Sequence, residues 1–126
     1  MTAADATSVI VDLLQRGHAV QFRARGDSMH PFIREDDVLQ VEPGREARVG
    51  DVVLVLFERG LTAHRVIRRD DRIVTRGDNA AEADGPVSHV LGVVTAVERN
   101  GKHVRARRSV VWVGVVRWVR GLLRQP

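Results

Sequence analysis

Short apolar runs separated by turn residues fill most of the chain, and one early stretch departs from them with helical spacing. Val9, Ile10, Leu13 and Leu14 fall on one face at that spacing, so a short amphipathic helix is predicted over Ser8–Arg16. Thr7 or Ser8 can cap its start and Gly17 can end it. From Val20 to Arg25 the period changes to two, with Val20, Phe22 and Ala24 on one side, which predicts a strand. Val38–Glu42 is a second strand, stopped by Pro43-Gly44. Val52–Phe57 is an unbroken run of six apolar residues, the mark of a buried strand. Ala63–Ile67, Arg72–Thr75 and Val90–Val97 read as further strands. Asn100-Gly101 predicts a tight hairpin between Val90–Glu98 and Lys102–Arg105. Asn79–Ser88 is the longest stretch without a pattern.

Many short strands and one early helix predict a mainly β, β-rich α+β fold, a partly closed barrel or coiled sheet. The 126 residues suit one domain with a modest core, spanning about 20–105, followed by a tail over 106–126. No internal repeat or low-complexity linker divides them.

The tail changes the picture. Trp112, Val115, Val116, Val119, Leu122 and Leu123 recur at helical spacing, with Arg117, Arg120 and Arg124 gathered opposite, which describes a basic amphipathic helix. Ser109–Val113 is valine-rich enough to read as a strand instead. Residues 1–98 carry 12 basic and 16 acidic side chains, whereas residues 99–126 carry 8 basic and none acidic. The net charge of +4 therefore joins a body of −4 to a tail of +8. Such a tail suits packing on the acidic body or contact with an anionic membrane surface. Nucleic acid is not an expected partner, because the tryptophans sit on the apolar face and are not interleaved with the arginines for base stacking.

Composition narrows the chemistry. There is no cysteine, hence no disulfide framework and no thiolate metal site. The histidines, His18, His30, His64, His89 and His103, show no pair at the i, i+4 ligand spacing, so no metal or other cofactor is expected. The start of the chain lacks the basic and apolar regions of a secretory signal. No apolar stretch approaches the roughly 18 residues of a spanning helix. A cytoplasmic or peripherally membrane-associated protein is expected.

Three motifs hold side chains suited to acyl transfer. Gly26-Asp27-Ser28-Met29-His30-Pro31 sets a serine between a glycine-led turn and a proline, where backbone N–H groups of Gly26, Asp27 and Ser28 could also receive an oxyanion. His64 lies in Ala63-His64-Arg65-Val66-Ile67, sharing one strand face with Thr62 and Val66, and an imidazole is suited to general-base work near neutral pH. Asp78, in Arg76-Gly77-Asp78-Asn79, and Asp84, before Gly85-Pro86, are both candidates to orient it. Each motif alone also reads as an ordinary turn or strand; their order is the stronger signal.

Together these segments resemble the signal peptidase and LexA-like serine peptidase superfamily. Gly26–Pro31 is similar to its nucleophile box, small-x-Ser-Met-x-Pro. Asp37-Val38-Leu39 and Gly50-Asp51-Val52-Val53 are similar to the strand motifs that follow, with Asp36 standing where relatives often have glycine. His64-Arg65-Val66-Ile67 is similar to the base-bearing motif. Its histidine, in place of the lysine of most bacterial members, is shared with the endoplasmic-reticulum and archaeal signal peptidases, as is the Asp78 and Asp84 spacing. The resemblance covers roughly residues 20–97. It implies a coiled, mostly antiparallel β-sheet and a serine endopeptidase acting on peptides with small residues near the cut. Ser28 would be the nucleophile, His64 the base, Asp84 the orienting acid with Asp78 a second acidic position, and the Gly26–Ser28 turn the oxyanion site. Alternatives on the same fold are a non-catalytic peptide-binding module and a regulatory self-cleaving relative.

Overall fold

A computed structural model describes residues 3–104. The tail segments at Ser109–Val113 and Trp112–Leu123 lie outside the described residues.

Helix α1 runs from Ala3 to Gln15. It begins earlier than the expected Ser8, because Ala3, Ala4 and Ala6 carry the highest helix propensity and extend it toward the N-terminus. Thr7 and Ser8 are therefore interior positions and not caps. The helix does end at Gly17: the Gly17 N–H donates to the Leu14 carbonyl at 3.0 Å and the His18 N–H to that of Leu13 at 2.9 Å, the paired bonds of a Schellman motif. Leu14 is buried and Ile10, Val11 and Leu13 pack beside it, whereas Val9 faces outward at 46% exposure, so the buried stripe is offset from the predicted one.

Among the described residues eight strands follow: β1 Val20–Arg23, β2 Val38–Glu42, β3 Val52–Phe57, β4 Gly60–Arg69, β5 Ile73–Arg76, β6 Pro86–Val87, β7 Gly92–Arg99 and β8 Lys102–His103. They form one antiparallel sheet in the order β1-β2-β7-β3-β4-β5-β6, with β8 paired to β7. Among the described residues the predicted strands all exist; Val38–Glu42 and Val52–Phe57 have the expected bounds and the others have shifted ends. β4 is twice the predicted five residues, since hairpin pairing with β3 extends it back to Gly60 opposite Phe57. β1 stops at Arg23, where the chain turns toward Ser28. The patternless stretch after Asn79 contains the short β6, made by pairing with β5 and not by any local signal. Asn100 and Gly101 take left-handed φ values of 55° and 78° and close the β7–β8 hairpin as their pairing of turn residues predicted.

The sheet separates two apolar clusters, which explains the unbroken run in β3. Val52 and Leu54 point into a cluster with Leu14, Val20, Leu39, Val41 and Val97. Val53 and Val55 point the other way, to Ala47, Val66 and Val93. A strand covered on both faces has no polar alternation to show. Leu54 is 1% exposed, and its truncation to alanine is expected to cost roughly 2–5 kcal/mol.

This sheet brings three separate chain segments together. The β1–β2 connection carries Ser28, β4 carries His64 beside Val53 of β3, and the β5–β6 loop carries Asp78 and Asp84. The first connection is closed at its base where the Ala24 N–H donates to Asp37 and the Asp36 N–H to Ala24, each at 2.8 Å.

Candidate active site

Ser28 sits on an exposed turn that opens at Gly26, whose φ of 83° is a left-handed conformation suited to glycine. Met29 and Ile33, by contrast, are buried in the first apolar cluster and anchor the turn from below. Pro31 follows a cis peptide bond. The base of the connection is held by an ion pair that sequence reasoning missed. Asp37, 2% exposed, receives the Arg99 guanidinium at both oxygens, at 2.9 and 2.7 Å, and the Arg34 N–H at 2.8 Å. The hydrogen bonds to Asp37 raise the proton affinity of Arg99 above its already high ordinary value, against the opposing effect of burial.

His64 is 6% exposed and lies between Ser28 and Asp84. Its Nδ1 is 2.6 Å from Asp84 Oδ2 and its Nε2 is 3.1 Å from Ser28 Oγ. Burial pushes the Asp84 carboxyl upward, but hydrogen bonds from His64, Thr75 and Arg59, with the attraction of His64, outweigh it and hold the group below its ordinary 3.8. An ionised carboxylate can only accept, so Nδ1 carries the imidazole proton and donates it to Asp84. Nε2 then offers its lone pair to the Ser28 hydroxyl.

Asp84 has further support. The buried Thr75 hydroxyl donates to Oδ2 at 2.7 Å, and Arg59 donates to Oδ1 at 2.8 Å. The Asp84 N–H donates to the Thr75 carbonyl at 2.8 Å, which ties the loop to the end of β5. Neither Thr75 nor Arg59 stood out in the sequence, since a threonine in a strand and an arginine in a turn are commonplace.

Asp78 is placed elsewhere. It receives both arms of the Arg65 guanidinium, while Arg65 also donates to the Gly50 carbonyl at 2.8 Å. Thus neighbouring residues of β4 take different carboxylates, His64 that of Asp84 and Arg65 that of Asp78. The Arg76–Asn79 turn also lies against the serine turn. The Asn79 N–H donates to the Ser28 carbonyl at 2.9 Å, and the Asn79 amide to that of Asp27 at 3.2 Å. Gly77 is required by this approach: a Cβ there would lie 2.5 Å from the Ser28 carbonyl oxygen and 3.1 Å from His64 Nε2.

Beside Ser28 a cleft of about 330 Å³ opens between the serine turn and β4. Its apolar lining includes Phe22, Ala24, Leu39, Leu54, Leu61 and Ala63, and Arg25, Asp27, Arg59 and His64 contribute its charged and titratable groups. Among the described residues, the N–H groups of Asp27 and Ser28 carry no hydrogen bond within the protein. Among the same residues, no group of three or more His, Cys, Asp and Glu side chains could hold a metal ion, and no helix is long and apolar enough to cross a membrane.

Residues 2–104 match the family described as Peptidase S24-like. Over 74 residues the chain is 35% identical to the LexA repressor of Syntrophomonas wolfei subsp. wolfei (strain DSM 2245B / Goettingen), a match covering 58% of this chain and 36% of that protein. The chain thus spans little more than a third of the curated relative it matches. No solved structure matches it.

Proposed function

The chain belongs to the Peptidase S24-like family, and on that premise we propose that it is a serine endopeptidase using Ser28, His64 and Asp84. The carrying observation is the continuous path from Ser28 Oγ through both ring nitrogens of His64 to Asp84. Nucleophile, base and orienting acid stand in the relation that this chemistry needs.

In the first step His64 Nε2 takes the Ser28 proton as Oγ bonds to the peptide carbonyl carbon. The carbonyl oxygen becomes an oxyanion, for which the free N–H groups of Asp27 and Ser28 are the candidate donors. Asp84 stabilises the imidazolium that forms. His64 then returns the proton to the leaving amine as the C–N bond breaks, leaving an ester on Ser28. Water, deprotonated by the same imidazole, releases the acid and restores Ser28.

The substrate on this reading is an extended peptide with small residues beside the cut, of the signal- or leader-peptide kind. Support comes from the histidine at the base position and from the partly apolar cleft of about 330 Å³ next to Ser28. Contact with a membrane surface through the basic tail belongs to the same reading.

The test is labelling by an active-site-directed serine reagent, followed by peptide mapping. The expected adduct is on Ser28 and disappears in Ser28→Ala and His64→Ala. Labelling that ignores Ser28 would overturn the assignment.

A second reading is favoured by the 35% identity to a LexA repressor: cleavage within the chain's own polypeptide, as in self-cleaving repressors. Intact-mass measurements over time separate the two. Self-cleavage at a rate independent of protein concentration, abolished in Ser28→Ala, would favour the second.

A further inference from the structure

We propose, resting on the peptidase reading above, that Arg59 is a positioning residue of the Ser28–His64–Asp84 system, holding the Asp84 carboxylate in the rotation that serves His64 and offsetting part of its charge. Oδ2 of Asp84 is occupied by His64 Nδ1 at 2.6 Å and Thr75 Oγ1 at 2.7 Å. Oδ1 faces Arg59 alone among the described side chains, at 2.8 Å. Without that donor the carboxylate is held at one oxygen only, and its plane is free to tilt away from the imidazole.

Arg59 is itself pre-set for this contact. It lies in the tight turn between β3 and β4, two residues after Phe57 and five before His64. Its guanidinium carbon stands 4.2 Å from the centre of the Phe57 ring, so stacking restricts the arm that reaches Asp84. The same hairpin therefore delivers both the base, on β4, and the cation that braces its acid, at the turn.

The electrostatic consequence is specific. Among the described residues, the charged groups bonded to Asp84 are His64, when protonated, and Arg59; Thr75 of β5 contributes a neutral hydroxyl. His64 is faced by Ser28 and Asp84, with the backbone of Gly77 close by. Arg65 and Asp78 neutralise each other nearby. Arg59 is thus the cation that counters Asp84 while the imidazole is neutral. It stands on the Oδ1 side of the same carboxylate whose Oδ2 takes His64, so part of the Asp84 charge is met by the guanidinium and not by the imidazole.

The experiment follows the His64 imidazole by NMR as a function of pH in the full, histidine-labelled chain. It needs no substrate and no cleavage, so it stays readable even if Ser28 proves not to be a nucleophile. Arg59→Gln is expected to raise the His64 titration midpoint by about half a pH unit or more, from loss of a nearby cation. Arg59→Lys, which retains the charge, should stay near wild type. In an Asp84→Asn background, where the guanidinium has lost its anchor, Arg59→Gln should move the midpoint less than half as far. An unchanged midpoint in Arg59→Gln, or an equal shift in both backgrounds, overturns the proposal. So does unfolding of both Arg59 variants, because Arg59 would then serve the fold and not the triad.

Discussion

Asp78 takes both arms of the Arg65 guanidinium, Nε on Oδ1 and Nη2 on Oδ2, each at 2.7 Å. This fork joins β4 to the loop that also delivers Asp84, and it leaves His64 to Asp84 alone. Arg65 and His64 are neighbours whose side chains leave opposite faces of β4. The two aspartates are therefore divided between bracing the loop and contacting the imidazole.

That division predicts different consequences for two similar substitutions. Asp84→Asn removes the acceptor that fixes the His64 tautomer, and is expected to reduce Ser28 reactivity by about 10³–10⁴-fold. Asp78→Asn leaves the imidazole partners intact and weakens a partly buried ion pair. Its reactivity should fall by less than about tenfold, with a stability loss of roughly 1–3 kcal/mol. Rates of labelling by a serine-directed reagent, with urea unfolding of each variant, check both. Equal loss of reactivity in the two would refute the division.

Gly77→Ala should damage the site without removing any polar group. The added methyl would meet the Ser28 carbonyl oxygen at 2.5 Å, a distance that backbone movement must relieve. Separation of the two turns by even about 1 Å can cost roughly 10²-fold in a positioned reaction. The expected result is a folded protein whose Ser28 labels at least about 100-fold more slowly. Normal reactivity in this variant would show that the turns tolerate separation.

The period of the chain made most of this fold legible, but its chemistry only in part. Phe22 announced its strand by alternation with Val20 and Ala24, and Val52–Phe57 announced a buried strand by lacking it. Ser28 and His64 stood out because a recognisable motif surrounds each. From the residues alone Asp78 and Asp84 were equal candidates, since both lie in turn-forming segments where no period reports direction, and the family resemblance was what favoured Asp84. Closure of β5 against β4 brings Asp84 to His64 and Asp78 to Arg65. Thr75 and Arg59 left no local signal, because their importance arises from meeting Asp84 across the fold. Likewise, β6 exists through pairing with β5, and its Pro86-Val87 pair is too short to carry a pattern.

Arg99 should be more important to stability than its place at the end of β7 suggests. Its guanidinium compensates Asp37, which is 2% exposed and closes the connection that carries Ser28. Arg99→Met would leave that carboxylate buried without a counter-charge, at an expected cost of about 3 kcal/mol. The double variant Arg99→Met with Asp37→Asn should recover part of the loss, because the stranded charge is removed. Urea unfolding at neutral pH measures both. If the double variant is no more stable than Arg99→Met alone, the cost does not arise from the unpaired carboxylate.

Asp84 should also give the protein a measurable acid sensitivity. Its carboxyl is held below 3.8 in the folded state by hydrogen bonds that outweigh its burial, whereas the unfolded chain has no such partners. The folded state therefore binds its proton less readily than the unfolded state does. Stability from this group is fully present above the ordinary carboxylate range and is lost as pH falls through the folded-state value. The comparison that isolates it is wild type against Asp84→Asn, since the other carboxylates titrate in both. The wild-type advantage is expected to be large at about pH 5 and to shrink steadily below about pH 4. Urea denaturation at a series of pH values reads it directly. An advantage that stays constant, or grows, as the pH drops from about 4 to 2 would mean that Asp84 is not held ionised by its partners.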